Sequence, residues 1–183
     1  KIDVQQEYID KINEDQEAVI LKIQNQINEK TVEVENLVDE QEALLEQSKE
    51  LADQANPLED VSNKIQQFLA LETQIESKLT KLKKQLKFYE ENDSCDTCGQ
   101  EIPDDYREEK AQESNTAISE TTSGLTQLEE QIQSNSERIE TLKDIQNEAK
   151  AKEKQAENER TSITILEDIL KGLNNEIAEK SFE

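Results

Sequence analysis

The sequence predicts an all-α protein: a long antiparallel coiled-coil hairpin with a short C-x-x-C hook at its apex. Three observations carry that expectation. Only 32% of the residues are hydrophobic and 3% aromatic, where an ordinary domain is about 45–50% apolar; a globular core is out of reach, but a narrow apolar seam is not. Glu, Gln, Lys, Leu and Ala dominate, with 3 glycines and 2 prolines, a composition that favours long helices over disorder. Finally, apolar residues recur at alternating spacings of four and three, the heptad pattern of a coiled coil.

The ascending arm covers residues 1–91. Its first run passes through Ile9, Ile12, Gln16, Val19 and Ile23, shifts phase, and resumes at Val34, Leu37, Gln41, Leu44, Ser48 and Leu51. Such slips resemble the stutters and stammers that change supercoil winding locally. A break is expected near 56–58, where Pro57 removes a backbone donor and pushes Asn56 away from helical angles. Asn56 as cap and Pro57 at the first helical position would restart the helix. The seam then runs through Val61, Ile65, Phe68, Glu72, Ile75, Leu79, Leu82, Leu86 and Tyr89, with only Glu72 polar.

Residues 92–103 read as the connector. Asn92, Asp93 and Ser94 end the periodicity, and Gly99 is the only glycine before residue 124. Pro103 suits a first helical turn, and Asp105 with Glu108 has the spacing of a capping box, with acid where the helix dipole favours it.

The returning arm covers residues 104–183. Its seam is Ile118, Thr121, Leu125, Leu128, Ile132, Asn135, Ile139 and Leu142, and it closes with Ile163, Leu166, Leu170, Leu173 and Ile177. Residues 143–162 offer only Ile145, Ala149, Ala151 and Ala156 to a seam, so this stretch is expected to be the loosest of the arm. Thr121-Thr122-Ser123-Gly124 is a second expected weak spot. Arms of about 91 and about 80 residues would each extend on the order of 120–135 Å. A lone helix with an exposed apolar stripe does not persist, and pairing the two stripes antiparallel is the economical solution.

Charge narrows the function classes. The net charge is -23, which opposes a nucleic-acid surface along most of the chain, because phosphate binding is driven by Lys and Arg displacing counterions. Residues 78–87 dissent with Lys78, Lys81, Lys83, Lys84 and Lys87. A fold-back at 97–98 would place Lys87 near Glu108 and Lys81 or Lys84 near Glu113, giving the patch an internal partner; a DNA contact near the apex is the alternative. No run approaches the roughly 20 apolar residues of a membrane span and no signal peptide is present, so a soluble, intracellular protein is expected. The chain has no methionine and starts on Lys-Ile-Asp-Val, and reads as an excised piece of a longer protein. It holds no histidine and no phosphate-loop motif, and no catalytic residue is expected in it.

Cys95 and Cys98, the only cysteines, admit four readings. C-x-x-C followed by glycine is a recurrent half-site for tetrahedral zinc, the tight turn aiming both sulfurs at one ion. Structural zinc takes four protein ligands, mostly sulfur and nitrogen, so the remaining donors would come from another molecule, most simply a second copy across a twofold axis. A dithiol redox centre is opposed by the surrounding Asp93, Asp96, Glu101, Asp104 and Asp105, and by the absence of a βαβ pattern. A structural disulfide would close only a tiny loop. A pair without a role completes the set. Phe88, Tyr89 and Tyr106 lie close to the connector and are expected to plug the end of the seam, giving the site a rigid base.

An antiparallel hairpin with Cys95-Asp96-Thr97-Cys98-Gly99-Gln100-Glu101-Ile102-Pro103 at its tip resembles the zinc hook of the SMC-like DNA-repair ATPases of the Rad-fifty and SbcC type. The resemblance covers about nine residues; the remainder of the likeness is coiled-coil architecture. It implies that Cys95 and Cys98 are the zinc ligands, that Gly99 is the small residue after them, and that one Zn2+ is shared by two chains. It implies a second copy as partner at the hook, and a Mre-eleven type nuclease and DNA engaged by head regions outside this sequence. The parent would be a DNA-repair and recombination ATPase, for example a phage recombination exonuclease subunit. Many relatives have proline after the first cysteine; Asp96 stands here, adding charge near the ion and relaxing the turn. The rival readings are a structural coiled-coil spacer with incidental cysteines and a thiol–disulfide hairpin.

Overall fold

The computed structural model describes residues 2–95 and 97–180, with side chains from Val4 onward. The described residues form three α-helices: α1 (Ile2–Ala55, 54 residues), α2 (Leu58–Glu91, 34 residues) and α3 (Asp104–Lys180, 77 residues). Among them no helix is long and apolar enough to cross a membrane. They fall into two units, one of α1 up to Gln54 with α3 from Ile145 onward, the other of residues 55–144.

In the first unit a shielded row of α1 runs through Gln16, Ile20, Ile23, Ile27, Lys30, Val34, Leu37, Gln41, Leu44, Ser48 and Leu51, with Val38 half-buried beside it. The row alternates by four and three without interruption, so the expected phase shift is absent. Ile27 and Lys30 fill the interval between Ile23 and Val34. Lys30 lays its aliphatic stem along the seam, while its ammonium reaches Glu33 at 2.6 Å. That carboxylate raises the Lys30 pKa by hydrogen bond and charge. Ile9, Ile12 and Val19, expected in the seam, are 50%, 41% and 42% exposed.

The partner segment of α3 presents Ile145, Ala149, Lys152, Ala156, Glu159, Ile163, Leu166, Leu170, Leu173 and Ile177. The expectation of looseness fails here: Ala149 and Ala156 are 4% and 1% exposed, the most enclosed side chains of the hydrophobic core. Small residues let two backbones approach closely, and Ser48 Oγ donates across to the carbonyl of Ala149 at 2.9 Å. What the stretch lacks in apolar volume it makes up by proximity. Ala151 is exposed.

In the second unit every expected seam residue of α2, from Val61 to Tyr89, is buried or half-buried, Glu72 included. The facing positions of α3, Ile118, Thr121, Leu125, Leu128, Ile132, Asn135, Ile139 and Leu142, are likewise shielded. Asn135, 9% exposed, donates its side-chain amide to the Gln131 carbonyl at 2.7 Å. A polar residue on the seam is a recognised device for fixing register. Helix α3 runs without interruption through Thr121–Gly124, so no weak spot forms there.

Each shielded pattern takes one extra step of three, through Ala55, Leu58 and Val61 in one direction of the chain and Ile139, Leu142 and Ile145 in the other. The division between units falls at these same sequence positions. At the first, α1 ends on Ala55 and Pro57 takes the cap position of α2 at φ -69, ψ -5, with no side-chain cap bond. The cap therefore falls on Pro57 and not on Asn56: proline already holds the helical φ, and its carbonyl accepts from Val61 N at 3.0 Å.

The expected ion pairs between Lys87 and Glu108, and between Lys81 or Lys84 and Glu113, do not form among the described residues. Lys87 pairs with Glu91 at 3.8 Å and Lys110 takes Glu113 at 2.6 Å, each within its own helix. Partners one helical turn apart are already positioned by the backbone and win over partners across the seam.

Candidate metal centre

Helix α2 stops because the backbone turns extended at Asn92, φ -121 and ψ 134. Its main-chain and side-chain amides both donate to the Phe88 carbonyl, at 3.0 Å each, so one late carbonyl is satisfied twice. The chain then reverses over a few residues. Ser94 and Glu101 form an antiparallel bridge, with Ile102 N donating to Asp93 O at 2.7 Å and Cys95 N to Gln100 O at 2.9 Å. Gly99 N closes the turn onto Cys95 O at 2.8 Å. Gly99 sits at φ +70 with nothing within 4 Å of where a Cβ would point. Glycine is required there by backbone conformation, not by crowding.

This turn points main-chain donors at sulfur. The backbone N–H groups of Cys98 and then Thr97 aim at Cys95, with the Cys98 thiol and the Thr97 side chain adding to them, and hold the Cys95 thiol below its ordinary pKa. Donors arranged this way stabilise a thiolate, the form that binds metal and the form that reacts. Cys98 is exposed and Cys95 half-buried, and both are free. The Cys98 thiol donates to Gln100 Oε1 at 3.5 Å.

Cys95, Cys98, Gln100, Ile102 and Tyr106 border one open depression, with Glu101, Pro103 and Asp105. Phe88 and Tyr89 are half-buried in the last turn of α2. Their rings meet edge to face at 5.3 Å, and Tyr89 meets Tyr106 of α3 at 6.3 Å. Tyr89 thus meets the first turns of α3 from the last turn of α2, whereas Tyr106 is 46% exposed under the Lys110 ammonium at 5.6 Å. Asp96, the least expected residue of the motif, lies outside the described residues.

Arg107 carries a part the sequence reading did not assign. Its guanidinium donates to the Asn92 carbonyl at 3.2 Å and to Asp104 Oδ1 at 2.5 Å, joining the two ends of the connector; its Nε is buried without a partner among the described residues. The D-x-x-R spacing of Asp104 and Arg107 was its available signal. This pair replaces the expected capping box: α3 begins at Asp104, Pro103 O accepts from Arg107 N at 3.0 Å, and the exposed Asp105 and Glu108 side chains take no hydrogen bond among the described residues.

The donor set fits half of a tetrahedral soft-metal site: two sulfurs three residues apart on the rim of one open depression. Among the described residues no group of three or more His, Cys, Asp or Glu side chains is placed to hold a metal. Comparison with family models, curated proteins and solved structures finds no match for the chain.

Proposed function

We propose that the chain is an antiparallel coiled-coil hairpin that joins two copies of itself tip to tip, Cys95 and Cys98 of each copy supplying the four sulfurs for one shared Zn2+. The single observation that carries the reading is the turn itself: Gly99 at positive φ, its N–H closed onto the Cys95 carbonyl, sets Cys95 and Cys98 on the rim of one open depression. Thr97 and Gly99 shape the turn, Gln100 and Ile102 tie it to the incoming segment at Asp93 and Cys95, and Phe88, Tyr89, Tyr106 and Arg107 stiffen its base. Zinc contributes no reaction here; it holds two chains in place. A contact of the same patch on both partners is the commonest way to form a dimer.

On the resemblance of the nine-residue motif, the parent is an SMC-like DNA-repair and recombination ATPase working with a Mre-eleven type nuclease, its catalytic parts outside these residues, in a reducing intracellular compartment. This stretch would tether, while the heads would hydrolyse ATP and the nuclease would cut. The test is sedimentation of the reduced protein with and without zinc. Dimer formation on adding zinc, lost in Cys95→Ser and in Cys98→Ser, supports the proposal; a monomer that takes up no zinc at neutral pH sinks it.

The lowered Cys95 thiol favours one second reading, a thiol–disulfide centre. That reading predicts an intramolecular disulfide that forms and reduces reversibly in a monomer, with no response of mass to zinc.

A further inference from the structure

The lysines of α2 are left without the internal partners that the sequence predicted for them. Lys78, Lys81, Lys83, Lys84 and Lys87 are all exposed, and among the described residues only Lys87 has an ion pair, with Glu91 of its own helix. Residues 78–87 contain no acid; the α3 stretch 108–117 that a fold-back at 97–98 sets opposite them holds Glu108, Glu109 and Glu113, none of which pairs with these lysines among the described residues, and Glu113 is held by Lys110. A chain of net charge -23 thus gathers positive charge on one face of one helix. A surface kept soluble by charge alone intersperses the signs.

The spacing gives that face a direction. Lys81, Lys84 and Lys87 recur every three residues on the side turned away from Leu79, Leu82 and Leu86, a row of ammonium groups about 4.5 Å apart along the axis. Lys78 and Lys83 flank the row. Residues 76–87 contain no arginine and no aromatic residue. Interfaces between proteins are depleted in lysine and anchored by aromatic and arginine side chains. A row of flexible point charges suits phosphates read without regard to base.

We propose that this face of α2 is a sequence-independent contact for the phosphate backbone of a nucleic acid, centred on Lys81, Lys84 and Lys87. It does not depend on the metal site, and Cys95→Ser leaves it intact. Binding releases counterions, so it falls steeply with salt: with three to five phosphates engaged, log K against log salt has a slope of about -3 to -4.5 for duplex and about -2 to -3.5 for a single strand.

The test is fluorescence anisotropy of the 183-residue chain with a labelled duplex and a labelled single strand of mixed sequence, titrated from low to moderate salt. The triple variant Lys81→Gln, Lys84→Gln, Lys87→Gln is expected to bind at least about tenfold more weakly at low salt and to lose about 2–3 from the slope. A control triple, Lys150→Gln, Lys154→Gln, Lys171→Gln, keeps both. Circular dichroism verifies that each variant stays helical. An unchanged affinity and slope in the first triple, or no binding of the parent chain at low salt, overturns the proposal. So does salt-sensitive self-association lost in the first triple without nucleic-acid binding, which would assign the lysines to the acidic surface of a second copy.

Discussion

Ala149→Leu separates a close helix pair from a loose one by the sign of its effect. Leucine adds three carbons to a side chain that is 4% exposed, beside a carbonyl that Ser48 Oγ reaches at 2.9 Å. Were the polar stretch 143–162 loosely paired, those carbons would find room in the seam and stabilise by about 2 kcal/mol, at about 0.8 kcal/mol per buried methylene. With the backbones as close as the Ser48 bond requires, they force the helices apart and cost about 1–3 kcal/mol. The lost hydrogen bond adds about 1 kcal/mol. For a chain of this size each kcal/mol moves the melting midpoint by about 2–4 °C, so the expectation is a fall of about 4–16 °C followed by circular dichroism. Ala151→Leu, on the exposed side of the same turn, should stay within about 0.5 kcal/mol of the parent. A raised midpoint in Ala149→Leu would refute the reasoning.

Four further outcomes are expected. Gly99→Ala should cost the apex about 1–2 kcal/mol by backbone conformation alone, read as weaker zinc-dependent dimerisation, while Gly99→Asn should retain most of it because Asn tolerates positive φ; equal losses in both would point to contact and not conformation. Arg107→Gln should speed amide hydrogen exchange at Ile102 and Cys95 with little effect on the midpoint of global melting, since its bond to the 91% exposed Asp104 is worth little and the Asn92 carbonyl is what it secures; unchanged exchange would remove Arg107 from the apex's support. Acidification should dissolve the zinc-linked dimer: protons compete for thiolates, and because Cys95 is held below its ordinary range, its thiolate persists to lower pH and is lost only as pH falls through that lowered value. Dissociation on raising the pH through neutrality would contradict this. Finally, Ser48→Ala should lower stability by about 1 kcal/mol in chemical denaturation at unchanged slope, and no loss would show that the bond does not form in solution.

Where the seam residues are large and aliphatic, the pattern was legible. From Val61 to Tyr89 and from Ile118 to Leu142 the four–three alternation identifies the shielded positions residue by residue, because volume and period coincide. It misled where they part. Val19 and Ile20 are both apolar, and only the position of the partner helix decides that Ile20 turns inward. Lys30 looks like a break in the pattern until its methylenes are counted as seam. Ala149 and Ala156 read as weakness by volume, although small side chains are what allow the closest approach. The charge pairing failed for a similar reason: a partner one turn away needs no tertiary structure, so Glu91 and Lys110 take the charges expected to bridge α2 and α3. At the apex the sequence pointed to Cys95, Cys98 and Gly99 through spacing alone. Arg107 stayed hidden because its role depends on the Asn92 carbonyl fifteen residues earlier, a relation no local motif records.

X-ray absorption at the zinc edge of the reduced, zinc-loaded protein tests the central claim most directly. Four cysteine thiolates from two chains predict four sulfur neighbours at about 2.3 Å and no lighter first-shell atom, with half a zinc ion per chain in a particle of twice the chain mass. Two sulfurs with oxygen ligands, one zinc per chain and the mass of a single chain would contradict it.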